Sequence, residues 1–180
     1  MFVESLLAGI FVAWVRKGKI KNLGLIQLQR ISLLFAVLFV QMIIDLPGVM
    51  IPGQIGVIMH IFSYVLLFYF FWINKNRLNS LILTGAALNF SVILFNGSMP
   101  VAAKHMSSEA VEQLKVSITH SLLTADTRLA WLADIIYVRW PLRQMLSVGD
   151  FLLDIGVFVL IQKVMLKQVS AKSNTHSYGG

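Results

Sequence analysis

Two aspartates in the second half of the chain, Asp134 and Asp150, are the side chains whose chemistry is easiest to define. Two carboxyl groups that share a proton can act as acid and base in hydrolysis, provided that they meet in the folded protein. Asp134 and Asp150 are therefore the candidate catalytic residues. Asp150 also has a structural interpretation, because Ser147 precedes it by three residues and completes the Ser-x-x-Asp capping box of a helix start.

A second group of polar side chains lies within, or at the ends of, strongly apolar segments. Such groups are costly inside a membrane and are functional candidates for that reason. The predicted binding residues are Asp45, His60, Asn89, Asn96, Asp150 and Asp154. Structural alternatives stay open: His60 as a hydrogen-bonded interior histidine, Asp45 as a water-facing helix end, and Asn89 as a bond to a neighbouring helix. The small-residue stripe Ser80, Thr84, Ala87 and Ser91 predicts a packing face on the same helix as Asn89.

The composition indicates which elements must position these residues. Hydrophobic residues make up 57% of the 180-residue chain and charged residues only 13%, and the mean hydropathy is +0.78. A soluble domain carries about a quarter charged residues, so a membrane protein crossing the bilayer several times is expected. The absence of cysteine excludes thiol catalysis, disulfides and cysteine-ligated metals. No metal and no other cofactor is predicted.

Five apolar segments predict an all-α fold, a polytopic helical membrane protein. The predicted spans cover residues 2–15, 25–46, 54–73, 78–95 and 148–166 of a single membrane-embedded domain, 1–167. Residues 96–147 form an outer loop, and residues 168–180 are expected to be a disordered cytoplasmic tail. Within the loop, Ser107–Leu123 has the spacing of an amphipathic helix, and Leu129–Val138 is a shorter apolar piece. Both are expected to lie on or dip into the membrane surface.

Charge sets the orientation. Alternation through five spans places ten of the 15 Lys and Arg residues on one side and all eight acidic residues on the other. The positive-inside rule makes the basic side cytoplasmic, so the N-terminus is outside and the C-terminus inside a bacterial cytoplasmic membrane. Trp14 and Trp72 suit the inner boundary, and Trp131 and Trp140 the outer one. The formal charge of +7 therefore reflects topology, and no nucleic-acid partner is expected.

Three motifs carry a resemblance: Asn-Gly-x-Met-Pro-Val at 96–101, Thr-Arg-Leu-Ala-Trp-Leu-Ala-Asp at 127–134, and Ser-Val-Gly-Asp at 147–150. The chain resembles a bacterial membrane-protein family known only as a domain of unknown function, a resemblance that implies no activity. It is more weakly similar to lipoprotein signal peptidases, which pair two aspartates at the outer membrane surface. The chain departs from them in its five predicted spans and in the place of its Asn-Gly element.

The leading prediction is a membrane protein with an outward-facing polar pocket for a small molecule, an ion, a lipid headgroup or a partner subunit. It is expected to be a binding protein rather than an enzyme. The alternative is a membrane-embedded aspartate-dependent hydrolase or peptidase acting at the outer leaflet. A small transporter, or a transporter subunit, is the third prediction. The expected partners are the lipid bilayer and either a second copy of the chain or another membrane subunit.

Overall fold

Helices form most of the computed structural model, which describes residues 2–44, 46, 51–140 and 143–167. The predicted tail and Asp45 lie outside the described residues. Six α-helices follow one another along the described chain: α1 Phe2–Val15, α2 Ile31–Ile44, α3 Gly53–Asn74, α4 Ser80–Asn96, α5 Ser108–Val116 and α6 Val148–Met165. Short 3-10 helices lie at Ile20–Leu25, Ala103–His105 and Ala130–Leu132. All six α-helices fall on segments that the sequence predicts to be helical.

The all-α prediction is wrong in the outer loop, which contains four short strands. Strand β1 (Met99–Val101) pairs in parallel with β2 (His120–Leu122), and β3 (Ile136–Val138) pairs antiparallel with β4 (Gln144–Leu146). Backbone N–H and C=O groups in a packed loop need hydrogen-bond partners, and these ladders supply them. Strands of three residues are too short to show an alternating pattern in the sequence.

The amphipathic helix predicted at Ser107–Leu123 ends early, at Val116. Ser117 adopts an extended backbone, and its hydroxyl accepts a hydrogen bond from the His120 N–H at 3.0 Å. The residues that follow pair with β1 instead of continuing the helix. The apolar piece predicted at Leu129–Val138 likewise divides into a 3-10 helix and strand β3, and its Leu132 is buried.

Helix α2 begins six residues later than the segment predicted from Leu25. Arg30 has a left-handed backbone, with φ of 51°, which a continuous right-handed helix does not allow. The buried side chain of Asn74, at the end of α3, holds the preceding turn in place. Its Oδ1 accepts from the Gln29 N–H at 2.8 Å, and its Nδ2 donates to the Gln29 carbonyl at 3.0 Å.

Helix α6 packs against α1 and α4, while α2 packs against α3. The face of α4 that is buried contains Ile82, Gly85, Ala86 and Asn89, whereas Thr84 and Ala87 are exposed. The predicted packing stripe is therefore wrong. The closest approach is between Gly85 and Gly149, since a Cβ on Gly85 would lie 2.5 Å from the Gly149 carbonyl oxygen.

Polar bonds connect α6 to the beginning of the chain. Gln162 donates through Nε2 to the Gly9 carbonyl at 2.7 Å and accepts through Oε1 from Arg16 at 3.0 Å. Asn22 donates to the Met165 carbonyl at 3.0 Å. The first and last described helices are thus fixed to each other by hydrogen bonds as well as by apolar contact.

Helix lengths bear on the membrane prediction. Among the described helices, α3, with 22 residues, is the one long and apolar enough to cross a bilayer by length and composition. Helices α1 and α2 have 14 residues each and α4 has 17. Helix α6 has 18 residues, but it carries Asp150, Asp154 and Lys163.

Candidate functional site

A polar cavity of about 280 Å³, here called the central cavity, opens where α2, α3, α4 and α6 meet the outer loop. Its lining residues are Gln41, His60, Tyr64, Asn89, Ile93, Met99, Thr119, His120, Asp134 and Asp150. Four residues predicted for catalysis or binding, His60, Asn89, Asp134 and Asp150, thus come together from α3, α4, the outer loop and α6. No lysine or arginine is among these described lining residues.

Asp150 is placed by the capping box, which the structure confirms. The Ser147 side chain accepts from the Asp150 N–H at 2.9 Å, and the Asp150 Oδ2 accepts from the Ser147 N–H at 3.0 Å. The other oxygen, Oδ1, accepts from Asn89 Nδ2 at 2.8 Å. The structural and the functional interpretation of Asp150 are therefore compatible, because one carboxylate begins α6 and also faces the cavity.

Asn89 is held in one orientation by Ser147. The buried Ser147 hydroxyl donates to the Asn89 Oδ1 at 2.8 Å, which leaves the amide Nδ2 to donate to Asp150. Gly149 makes this possible, because a Cβ at that position would collide with the Asn89 amide and would lie 2.7 Å from the Gly85 carbonyl oxygen. Asn89 thus bonds across to a neighbouring helix and also lines the cavity.

Asp134 is positioned by backbone pairing at the end of the Ala130–Leu132 helix. Its N–H donates to the Pro100 carbonyl, and its carbonyl accepts from the Ala102 N–H, both at 3.0 Å. The side chain is only 6% exposed, and its Oδ1 has no hydrogen-bond partner among the described residues. Burial raises the pKa of the Asp134 carboxyl to about 7, the negative charge of Asp150 adds to the rise, and His120 opposes it.

His60 lies on the α3 side of the cavity and is buried. Its ring contacts that of Tyr64 one turn later, with a centroid separation of 5.6 Å. Ser63 donates to the His60 carbonyl at 2.7 Å and accepts from Gln41 Nε2 at 3.0 Å, which ties α2 to α3 beside the ring. His60 is thus an interior histidine, as the structural alternative predicts, that also borders the cavity.

Three residues that were not predicted from the sequence also line the cavity: His120, Thr119 and Tyr64. The Thr119 hydroxyl and the His120 Nδ1 are 2.8 Å apart, and His120 is the first residue of β2, paired with Met99 of β1. The sequence signal that could have indicated them was the polar pair Thr119-His120, near the end of the predicted amphipathic helix Ser107–Leu123. The position of this pair depends on the pairing of β2 with β1, which the sequence does not indicate.

Two other predicted binding residues, Asn96 and Asp154, are not among the described residues that line the central cavity. Asn96 uses its amide to fix the loop, donating to the Arg128 carbonyl and accepting from the Arg128 N–H, both at 2.9 Å. Gly97 follows it with φ of 81°, the left-handed end of α4 that the Asn-Gly turn signal indicates. Asp154 is buried on α6 and interacts with Ser5 of α1. Asp45 belongs to the part of the chain that the structure does not describe.

The arrangement suits proton exchange and the recognition of hydrogen-bonding groups. A carboxyl whose pKa is near 7 is partly protonated at neutral pH, so Asp134 can both give and take a proton there. Asp150 already accepts bonds on both oxygens and is held in place for electrostatic attraction. Within the described residues, no three His, Asp or Glu side chains come close enough to hold a metal ion.

Comparison with known proteins assigns the family. Residues 25–162 match the model of DUF5317, described as a family of unknown function. The chain belongs to this family. The predicted membership in a family of unknown function is thereby confirmed, whereas the similarity to lipoprotein signal peptidases stays a prediction. The part matched to DUF5317 includes every lining residue of the central cavity.

An uncharacterized protein of Thermotoga maritima is 31% identical over 166 residues, which cover 88% of this chain and 89% of the relative. The similarity therefore extends over most of both chains. No solved structure matches the chain.

Proposed function

We propose that this DUF5317 protein is an integral membrane protein of the bacterial cytoplasmic membrane, and that its central cavity, open to the outside, binds a small amine-bearing cation. One observation carries the proposal: the cavity gathers Asp134, Asp150, His60 and His120 without a lysine or arginine among its described lining residues. Such a lining favours a cation, because the carboxylates attract a positive charge and none of the described lining residues is a lysine or arginine that would repel it.

Exposed apolar side chains support the membrane location. Large ones cover the outward faces of the helices, including Phe11 on α1, Phe35 on α2 and Ile58 on α3, each more than 60% exposed. A monomeric soluble protein rarely exposes a continuous apolar surface larger than a few hundred Å². Helices of 14 residues, about 21 Å long, can be accommodated when the bilayer thins and basic residues such as Arg16 snorkel to the interface.

Labelling of introduced cysteines tests this orientation, and the chain has no native cysteine to interfere. Glu112 on α5 and Lys75 after α3 are both exposed, and the proposal places them on opposite sides of the membrane. In intact cells, a membrane-impermeant maleimide should label Glu112→Cys and leave Lys75→Cys unlabelled until the cells are permeabilised. Labelling of Lys75→Cys in intact cells would overturn the orientation.

Putrescine and 1,4-butanediol test the cavity, because they have the same length and differ in charge. Putrescine should bind the detergent-purified protein, whereas butanediol should bind at least ten times more weakly. Asp134→Asn removes one negative charge at nearly constant shape and should weaken putrescine binding about tenfold, the value of roughly 1.4 kcal/mol for a charged hydrogen bond. Asp126→Asn, an exposed acid on the same loop, is the matched control and should bind normally.

Calorimetry adds a readout specific to Asp134. A bound cation lowers the pKa of a neighbouring carboxyl, so binding at pH 7 should release protons from a group whose pKa is about 7. The number of protons released, obtained from two buffers with different ionisation enthalpies, should fall in Asp134→Asn. Equal binding of the diamine and the diol, with unchanged proton release in the variant, would contradict the proposal.

A hydrolase is the second candidate, favoured by the placement of Asp134 and Asp150 on one cavity and by the negative charge of Asp150, which helps to raise the pKa of Asp134. In that reaction Asp134 would give the proton and Asp150 would orient the water. The bonds from Asn89 and Ser147 already occupy both Asp150 oxygens, which makes a binding role the better supported of the two. Recovery of the bound ligand distinguishes the two candidates, because a binding protein releases the ligand unchanged and a hydrolase releases its cleavage products.

A further inference from the structure

A second cavity of about 450 Å³, here called the loop cavity, lies among the outer segments on the other side of Asp134. Asp134 and His120 contribute to the linings of both cavities. The rest of its lining comes from α5, β1, β4 and the segments beside them. No sequence motif pointed to this cavity, and the proposed amine site does not use it.

The basic residue of the loop-cavity lining is Arg143, and its acid is Asp134. Arg143 is exposed at its edge, and the His105 ring stacks on Tyr137 with a centroid distance of 4.4 Å and an interplanar angle of 22°. The first turn of α5 contributes Ser107 and Ala110, so the positive end of that helix dipole also borders the cavity. An arginine guanidinium next to a helix start is suited to a phosphate group.

The opposite part of the lining is apolar. Met106, Leu114 and Met145 contribute flexible or branched hydrocarbon surface. A free inorganic anion would leave this surface in contact with water. An anion that carries a hydrocarbon body would cover it, which is favourable by about 25 cal/mol for each Å² removed from water.

Asp134 supplies an observation that is independent of Arg143 and of the start of α5. Its side chain is more than nine-tenths buried, and its Oδ1 has no hydrogen-bond partner among the described residues. A buried polar atom of this kind lacks an interaction that a ligand can provide. With a pKa of about 7, the carboxyl is partly protonated at neutral pH and can donate to a phosphate oxygen.

We propose that the loop cavity is a second binding site that takes the phosphate headgroup of an anionic phospholipid, with Arg143 as its main contact and the Met106, Leu114 and Met145 surface covering the first part of the acyl chains. Exposed Trp131 and Trp140 lie on the same outer loop, and such residues prefer the headgroup level of a bilayer. Asp134 lines both sites, but Arg143 and the start of α5 line the loop cavity alone, so Arg143→Gln tests the lipid site without removing a residue of the amine site.

Short-chain lipids that stay monomeric provide the test. The detergent-purified full chain is titrated with dihexanoyl phosphatidylglycerol, with dihexanoyl phosphatidylcholine and with inorganic phosphate, and bound ligand is counted by native mass spectrometry. The anionic lipid should bind at least tenfold more tightly than the zwitterionic lipid and than phosphate. Arg143→Gln should remove most of that preference, roughly a tenfold loss for a charged hydrogen bond.

Arg139→Gln is the matched control, since Arg139 is an exposed arginine of the same loop that does not line the cavity. It should keep the full preference. Leu114→Trp should weaken the binding of the lipid by filling the apolar side, with phosphate binding unaffected. An equal loss in Arg143→Gln and Arg139→Gln would overturn the site, and tighter binding of inorganic phosphate than of the lipid would overturn the lipid assignment.

Discussion

At pH 8 the Asp134→Asn variant is expected to unfold at a higher temperature than the wild-type protein. The folded state raises the pKa of this carboxyl from 3.8 to about 7, so folding favours the protonated form. The wild type is therefore relatively most stable below pH 3.8 and loses stability as the pH rises from 3.8 to about 7. Above that range the buried charge costs about 2 to 4 kcal/mol, and an amide avoids the cost.

The decisive measurement is the difference in melting temperature between Asp134→Asn and the wild type as a function of pH. The apparent melting temperatures of the two proteins, measured by scanning fluorimetry in one detergent, should coincide near pH 4 and separate up to about pH 7, then stay apart. Asp126→Asn changes an exposed acid on the same loop and should follow the wild type at every pH. A difference that is the same at pH 4 and pH 8 would mean that shape, and not charge, separates Asp134 from asparagine.

Gly149→Ala is expected to destabilise the protein by about 3 kcal/mol, the upper part of the range for overpacking a close contact. The added methyl group would lie 2.7 Å from the Gly85 carbonyl oxygen, and a backbone atom cannot move away by changing a rotamer. It would also displace the Asn89 amide, which bonds both Ser147 and Asp150. The variant should therefore lose amine binding together with stability.

Gly24→Ala provides the control for this substitution. Gly24 lies in the Ile20–Leu25 helix, and a Cβ there would meet no atom within 4 Å. Its apparent stability should stay within about 0.5 kcal/mol of the wild type, as for an ordinary surface change. Equal melting temperatures for the two alanine variants would show that α4 and α6 can separate without cost.

The helices could be predicted because long apolar segments with clear ends determine them. The capping box of Ser147 and Asp150 and the Asn-Gly turn after α4 depend on local backbone chemistry, which a sequence displays directly. The start of α2 could not be predicted. It depends on Asn74, a buried side chain that lies 45 residues beyond Gln29 and fixes its backbone.

The cavity was harder to predict than the helices that border it. His60, Asn89 and Asp150 could be selected because polar residues are conspicuous in apolar helices. His120 and the burial of Asp134 depend on strands of three residues paired across the outer loop, whose hydrogen bonds leave no periodic signal. The small-residue stripe of α4 was misleading because Gly85 faces α6 and Ala86 is buried, whereas Thr84 and Ala87 are exposed.

The bonds between α1 and α6 also constrain how the protein is made. Gln162 reaches back to Gly9 and Arg16, and these contacts join the first helix synthesised to the last one described. Translation at about 5 to 20 residues per second separates their emergence by roughly 10 to 30 s. During that interval α1 lacks its main neighbour. A chain interrupted before α6 would thus expose the face of α1 that Gln162 and its neighbours cover, so the packing of the first helix depends on completion of the last one described.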